Sequence, residues 1–200
     1  MIIGLTGKNG SGKGVVADLL IARGFVFHSL SDVIRREIQK SGEAITREKM
    51  IAVGKSLRHE GGIGVLAQKI LPEISDGKNH VVDSIRNPGE VTVLKTLPDF
   101  ILLSIEADQQ TRFERCRVRA RENEPTTLAG FIHLEDQELH SADPAAQQLV
   151  ATAGLADAVI QNDGGMKELE EKLDVLLMKT PHPALPPRGE GGRRPGEGRD

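Results

Sequence analysis

Residues 7–14 read Gly7-Lys8-Asn9-Gly10-Ser11-Gly12-Lys13-Gly14, a G-x-x-x-x-G-K pattern. A chain of phosphates is bound by backbone N–H groups turned inward, and glycine lets a backbone adopt those dihedrals and come close. A helix starting near Gly12 adds its positive end to such a loop, and Lys13 then reaches the β- and γ-phosphates. The expected ATP contacts are Gly7, Lys8, Asn9, Gly10, Ser11, Gly12, Lys13, Gly14 and Val15. The general pattern ends in Ser or Thr, whose hydroxyl contacts Mg²⁺; Gly14 stands there instead.

Two carboxylates follow apolar runs. Val81-Val82-Asp83 has the acidic strand end that supports Mg²⁺ in phosphate-loop proteins, and a turn aspartate reads the same way without a metal. Asp32 lies just beyond the run 25–28, where it could orient Mg²⁺ waters or the acceptor. Arg35 follows one helical turn later, and a guanidinium fork matches a phosphate bidentately. The other reading is capping by Ser31 or Asp32 with Arg35 solvated. Arg86 comes soon after Asp83.

Residues 111–121 carry Arg112, Arg115, Arg117, Arg119 and Arg121. At helical spacing Phe113, Cys116 and Ala120 form a core stripe, flanked by Arg112, Arg115 and Arg119. Such a row can clamp a transferring phosphoryl group, whose developing charge needs cations; it can also be a solvated basic face. Arg115 and Arg119 are the catalytic candidates, with Lys13 and Asp32. Asn162, in the Asn-Asp-Gly-Gly stretch after the run 157–161, is a further nucleotide-binding candidate, or simply part of a turn.

These residues need elements to hold them. Apolar runs at 1–6, 25–28, 80–85, 100–105 and 157–161 read as strands. Segments 15–22, 32–40, 46–59, 63–74, 128–139 and 167–178 have helical spacing, Asn87-Pro88 reads as a helix start, and Asp108 as the cap of the arginine helix. The alternation predicts an α/β domain over 1–178 with a parallel sheet. Beyond it, 179–200 is dense in Pro and Gly, with no apolar pattern to bury, and is expected to be a disordered tail.

Aromatics are 2% of the chain, with no Trp or Tyr, so the core must be aliphatic. A net charge of -3 and a pI near 6.1 give no reason to expect nucleic acid or an anionic membrane as partner. The single cysteine, Cys116, suits a cytoplasmic location and cannot build a Cys-based metal site. No apolar stretch reaches membrane-spanning length, and residues 1–6 read as a strand rather than a leader.

GKNGSGKGVVADLL, SLSDVIRRE, VVDSIRNPGEV and ADAVIQNDG together resemble nucleoside monophosphate kinases such as adenylate kinases, and dephospho-CoA kinases. Residues 141–149 are similar to the N-terminal phosphate-loop domain of some deoxycytidylate deaminases, though the zinc signature of the deaminase itself is missing. The resemblance implies a P-loop NTPase three-layer sandwich, with a five-stranded parallel sheet of order 2-3-1-4-5. It implies ATP and Mg²⁺ as cofactors, with Asp83 and Asp32 on the metal side. Arg35 and Arg86 would bind a small nucleotide acceptor, and Arg115 and Arg119 would be lid-helix arginines ahead of a short lid near 122–127. Adenylate kinases also carry glycine at the position of Gly14, but Thr where this chain has Val15. Dephospho-CoA kinases have an aspartate where this chain has Leu30. The expected activity is phosphoryl transfer from ATP to a nucleotide, with dephospho-CoA as second acceptor class and non-catalytic, regulatory ATP binding as the remaining possibility.

Overall fold

The computed structural model describes residues 1–119, 125–139 and 142–179. Arg121, Ala120, Ser141, residues 122–124 of the expected lid and all but the first residue of the expected tail lie outside the described residues.

The elements alternate as expected. In order they are β1 (Ile2–Thr6), α1 (Lys13–Ile21), β2 (Val26–Ser29), α2 (Leu30–Lys40), α3 (Arg47–Gly61), α4 (Val65–Ile70), β3 (His80–Asp83) and α5 (Pro88–Leu94). Then come β4 (Phe100–Glu106), α6 (Gln109–Arg119), α7 (Leu128–Leu139), α8 (Leu149–Ala153), β5 (Ala158–Gln161) and α9 (Met166–Lys179). Among the described residues the strands form one five-stranded sheet, parallel throughout, in the order β2-β3-β1-β4-β5.

β1 is buried at all five positions, as a central strand covered on both faces must be. Alternate side chains feed opposite layers. Ile3, Leu5, Val81 and Leu103 pack with Val16, Leu20, Leu169 and Leu173 from α1 and α9. Ile2, Val82 and Leu102 pack with Ile38, Leu66, Ile70 and Leu94 on the other face. The layers are aliphatic, as the composition demands. They hold the carboxyl ends of β1, β2 and β3 side by side, which is where a doubly wound sheet forms its ligand crevice.

Several boundaries differ from the sequence reading. α2 begins at Leu30, so Ser31 and Asp32 lie inside its first turn rather than ahead of it. The stretch expected as one helix over 63–74 is α4 followed by a 3-10 turn at Leu71–Glu73, with Pro72 in that turn. β3 ends at Asp83 because Ser84 takes φ 65° and turns the chain. Leu149–Ala153 forms a helix that its short apolar pattern did not reveal. Among the described residues no helix is long and apolar enough to cross a membrane.

Candidate nucleotide-binding site

The loop between β1 and α1 has the backbone its sequence requires. Gly7, Gly10 and Gly12 take φ of 136°, 79° and 99°, values that side chains disfavour. Space is equally restrictive. A Cβ at Gly10 would stand 2.5 Å from the carbonyl oxygen of Arg112, and one at Gly12 would stand 2.2 Å from Asn162 Nδ2. Lys13 is the first residue of α1, and its Nζ donates to the carbonyls of Gly7 at 2.7 Å and Lys8 at 2.9 Å. Burial pushes this amine down to about 8, with the positive charges of Arg86, Arg119 and Arg112 acting the same way and Asp83 opposing them.

Asp83 ends β3 beside this cluster. Its Oδ1 is buried without a partner, as is Ser11 Oγ. A bare carboxylate oxygen near a phosphate loop fits a hard cation that takes oxygen ligands, so the residues present suit Mg²⁺. Asp32 is placed differently. It pairs with Arg35 at 2.6 Å and lines a cleft with Phe27, His28, Arg36 and Glu73 at the outer side of β2.

The arginine row divides into three roles. Arg119 donates to Asn9 Oδ1 at 3.1 Å, so it reaches the phosphate loop. Arg115 donates to the Asn162 carbonyl at 2.8 Å, which ties α6 to the loop after β5. Arg112 is buried against Glu135 of α7; it forms a two-pronged pair with that carboxylate and also touches the carbonyls of Asn9 and Ala107. Burial pushes Glu135 up, but the bonds and charge of Arg112, with the charge of Lys8, outweigh it and hold the carboxyl below its usual range. Glu135 also accepts from Lys8 at 3.3 Å and Gln109 at 3.3 Å. It is therefore the anchor of the phosphate loop, and its position in sequence gave no sign of that.

Asn162 is buried and donates to the Ser11 carbonyl at 2.8 Å. Its side-chain amide braces the phosphate loop itself. Arg86 donates to Gln147 at 2.8 Å. Arg35 projects from α2 with its guanidinium on Asp32 and Ser31.

A second polar hub stands behind Arg86. Glu90 accepts from Arg58 Nε and Nη2 at 2.9 and 2.6 Å, and from the backbone N–H groups of Arg86 and Asn87 at 2.8 and 3.0 Å. Burial raises this carboxyl, while Arg58 and the N–H groups lower it. Asn87 adds bonds to the carbonyls of Pro144 and Ala146. The hub fixes the 143–149 segment over the end of β3. Asn87 and Glu90 form a capping box on α5; the spacing N-x-x-E is a readable signal.

Comparison with known proteins bears on the family and the fold. The AAA domain family matches residues 6–129. A UPF0200 protein from Methanothermobacter thermautotrophicus is 31% identical over 98% of this chain and 97% of its own. Among solved structures, TT1252 from Thermus thermophilus is similar over 91% of this chain and 98% of its own, with TM-score 0.57 and 21% identity. Shikimate kinase from Bacteroides thetaiotaomicron is similar over 89% and 97%, with TM-score 0.57 and 15% identity. The two solved structures are alike in fold, a parallel sheet flanked by helices.

Proposed function

This chain belongs to the AAA domain family and to the UPF0200 family, and from that premise we propose that it is an ATP-dependent phosphotransferase acting on a nucleotide. The observation that carries the reading is the glycine-lined loop on which three cations converge: Lys13 on the carbonyls of Gly7 and Lys8, and Arg112 and Arg119 on Asn9. So much positive charge drawn onto one glycine-lined loop calls for a polyphosphate ligand. Mg²⁺ would be held by Asp83 and would neutralise charge on the phosphate oxygens during transfer.

The acceptor in this reading is a nucleoside or deoxynucleoside monophosphate. Such an acceptor attacks through an anionic phosphate and needs cations, which Arg35 and Arg86 supply. A hydroxyl acceptor such as dephospho-CoA needs a carboxylate base; the pair of Arg35 with Asp32 is exposed, and an anionic acceptor would take the carboxylate's place on the guanidinium. Arg119, on the loop's Asn9, is the cation placed to follow the transferring phosphoryl group; Arg115 holds α6 in place for it. Gly14 and Val15 favour a second reading, nucleotide binding without turnover, because they bring no hydroxyl to the metal. The lone cysteine is consistent with a cytoplasmic enzyme.

Calorimetric titration tests the pairing of sites. MgADP and a nucleoside monophosphate should bind together, one of each per chain, and Arg35→Ala should abolish monophosphate binding while MgADP affinity holds. If no monophosphate or deoxy form binds to the MgADP complex, the acceptor class is wrong.

A further inference from the structure

Ser84 is the one residue other than glycine with positive φ among the described residues, at 65°. Glycine would sit there without strain, so a serine marks a position whose side chain has work to do. Its hydroxyl lies 3.4 Å from Asp83 Oδ2 and 3.2 Å from Ser29 Oγ. Ser29 Oγ lies 2.8 Å from Ser31 Oγ, which is 2.8 Å from Arg35 Nη1. In the sheet Ser29 stands opposite Asp83, so this line of hydroxyls steps directly from one strand end to the next.

Counting protons fixes its direction. A carboxylate only accepts, a guanidinium only donates, and each hydroxyl has a single proton to give. Ser84 therefore donates to Asp83, Ser29 to Ser84, Ser31 to Ser29, and Arg35 to Ser31. Every bond points from a fixed cation toward one carboxylate, and bonds in such a chain polarise one another. The chain engages Oδ2 of Asp83 and leaves Oδ1, the buried oxygen without a partner, for the metal.

We propose that Ser84 is a positioning residue that couples Arg35 to Asp83, so that an anion engaging Arg35 changes how tightly the metal is held. This rests on the reading of Arg35 as the acceptor's cation and Asp83 as the metal carboxylate. The probes are Mn²⁺ and ADP, with Mn²⁺ affinity of the ADP complex read by electron paramagnetic resonance. Four proteins are compared: wild type, Arg35→Ala, Ser84→Gly and the double variant. Ser84→Gly suits the backbone, so the turn is retained while the hydroxyl is lost. Arg35→Ala should weaken Mn²⁺ binding about two- to fivefold when Ser84 is present and leave it unchanged when Ser84 is glycine. An effect of Arg35→Ala that is equal in both backgrounds, or absent from both, overturns the coupling while leaving the site's assignment intact. A wild-type protein that binds no Mn²⁺ with ADP overturns that assignment and the coupling with it.

Discussion

Lys13 is held in a setting that disfavours its charge. Burial and three neighbouring arginines bring its ionisation down to about 8, against about 10.4 for a free lysine. Between those values the unfolded chain binds more protons than the folded one, so the ligand-free protein gains stability as pH rises through that window. Phosphates reverse the preference, because they stabilise the ammonium. ATP binding at about pH 8.5 should therefore take up a fraction of a proton, measured by calorimetry in buffers of different ionisation enthalpy. Uptake should vanish in Lys13→Met; uptake that persists in the variant would place the proton elsewhere. The glycine pattern and Lys13 were legible because backbone geometry at a phosphate loop needs those residue types at that spacing. Arg112 was legible only as a charge beside the core stripe. Its partner Glu135 is 23 residues away in sequence, and no local pattern announces such a pair.

At the scale of elements, two buried carboxylates join helices to the sheet end. Glu135 on α7 gathers Lys8, Gln109 and Arg112, thereby fixing α6 and the phosphate loop to one point. Glu135→Ala leaves a buried guanidinium without its anion and releases Lys8. ATP affinity should fall about ten- to a hundredfold, the range for lost bonds to charged groups, with circular dichroism confirming the fold; unchanged affinity would reduce Glu135 to a packing role. Glu90 joins α3, α5 and the 143–149 segment. Removing one partner of a buried pair costs about 3–5 kcal/mol, so Glu90→Ala should lower the urea midpoint substantially. A loss below about 1 kcal/mol would show that the pair is dispensable. Strands and long helices were readable here because burial on both faces or on one stripe imposes periodicity. Leu149–Ala153 was not, since five residues carry too little pattern and its place is set by Gln148 bonding to Arg86 across the fold.

For the whole molecule, the parallel order of strands brings β1, β2 and β3 to one edge where the loop, Ser29 and Asp83 meet. The alternation of elements predicted that class of sheet; the strand order came from family resemblance and not from any local pattern. The Pro/Gly-rich end of the chain has no apolar pattern that the domain needs. Deleting residues 181–200 should therefore leave the melting temperature and ATP affinity unchanged, and a marked fall in either would assign that segment a role.

Transfer of the γ-phosphoryl group of ATP to a nucleotide is measured with γ-labelled ATP and Mg²⁺. The protein is presented with a panel of nucleoside monophosphates, their deoxy forms and dephospho-CoA, with Lys13→Ala as control. Label should appear in a nucleoside diphosphate with the wild-type protein and be lost in the variant, as the proposed roles of Lys13, Arg35 and Arg86 require. Label in the dephospho-CoA product alone, or ATP binding with no labelled acceptor at all, would contradict those roles.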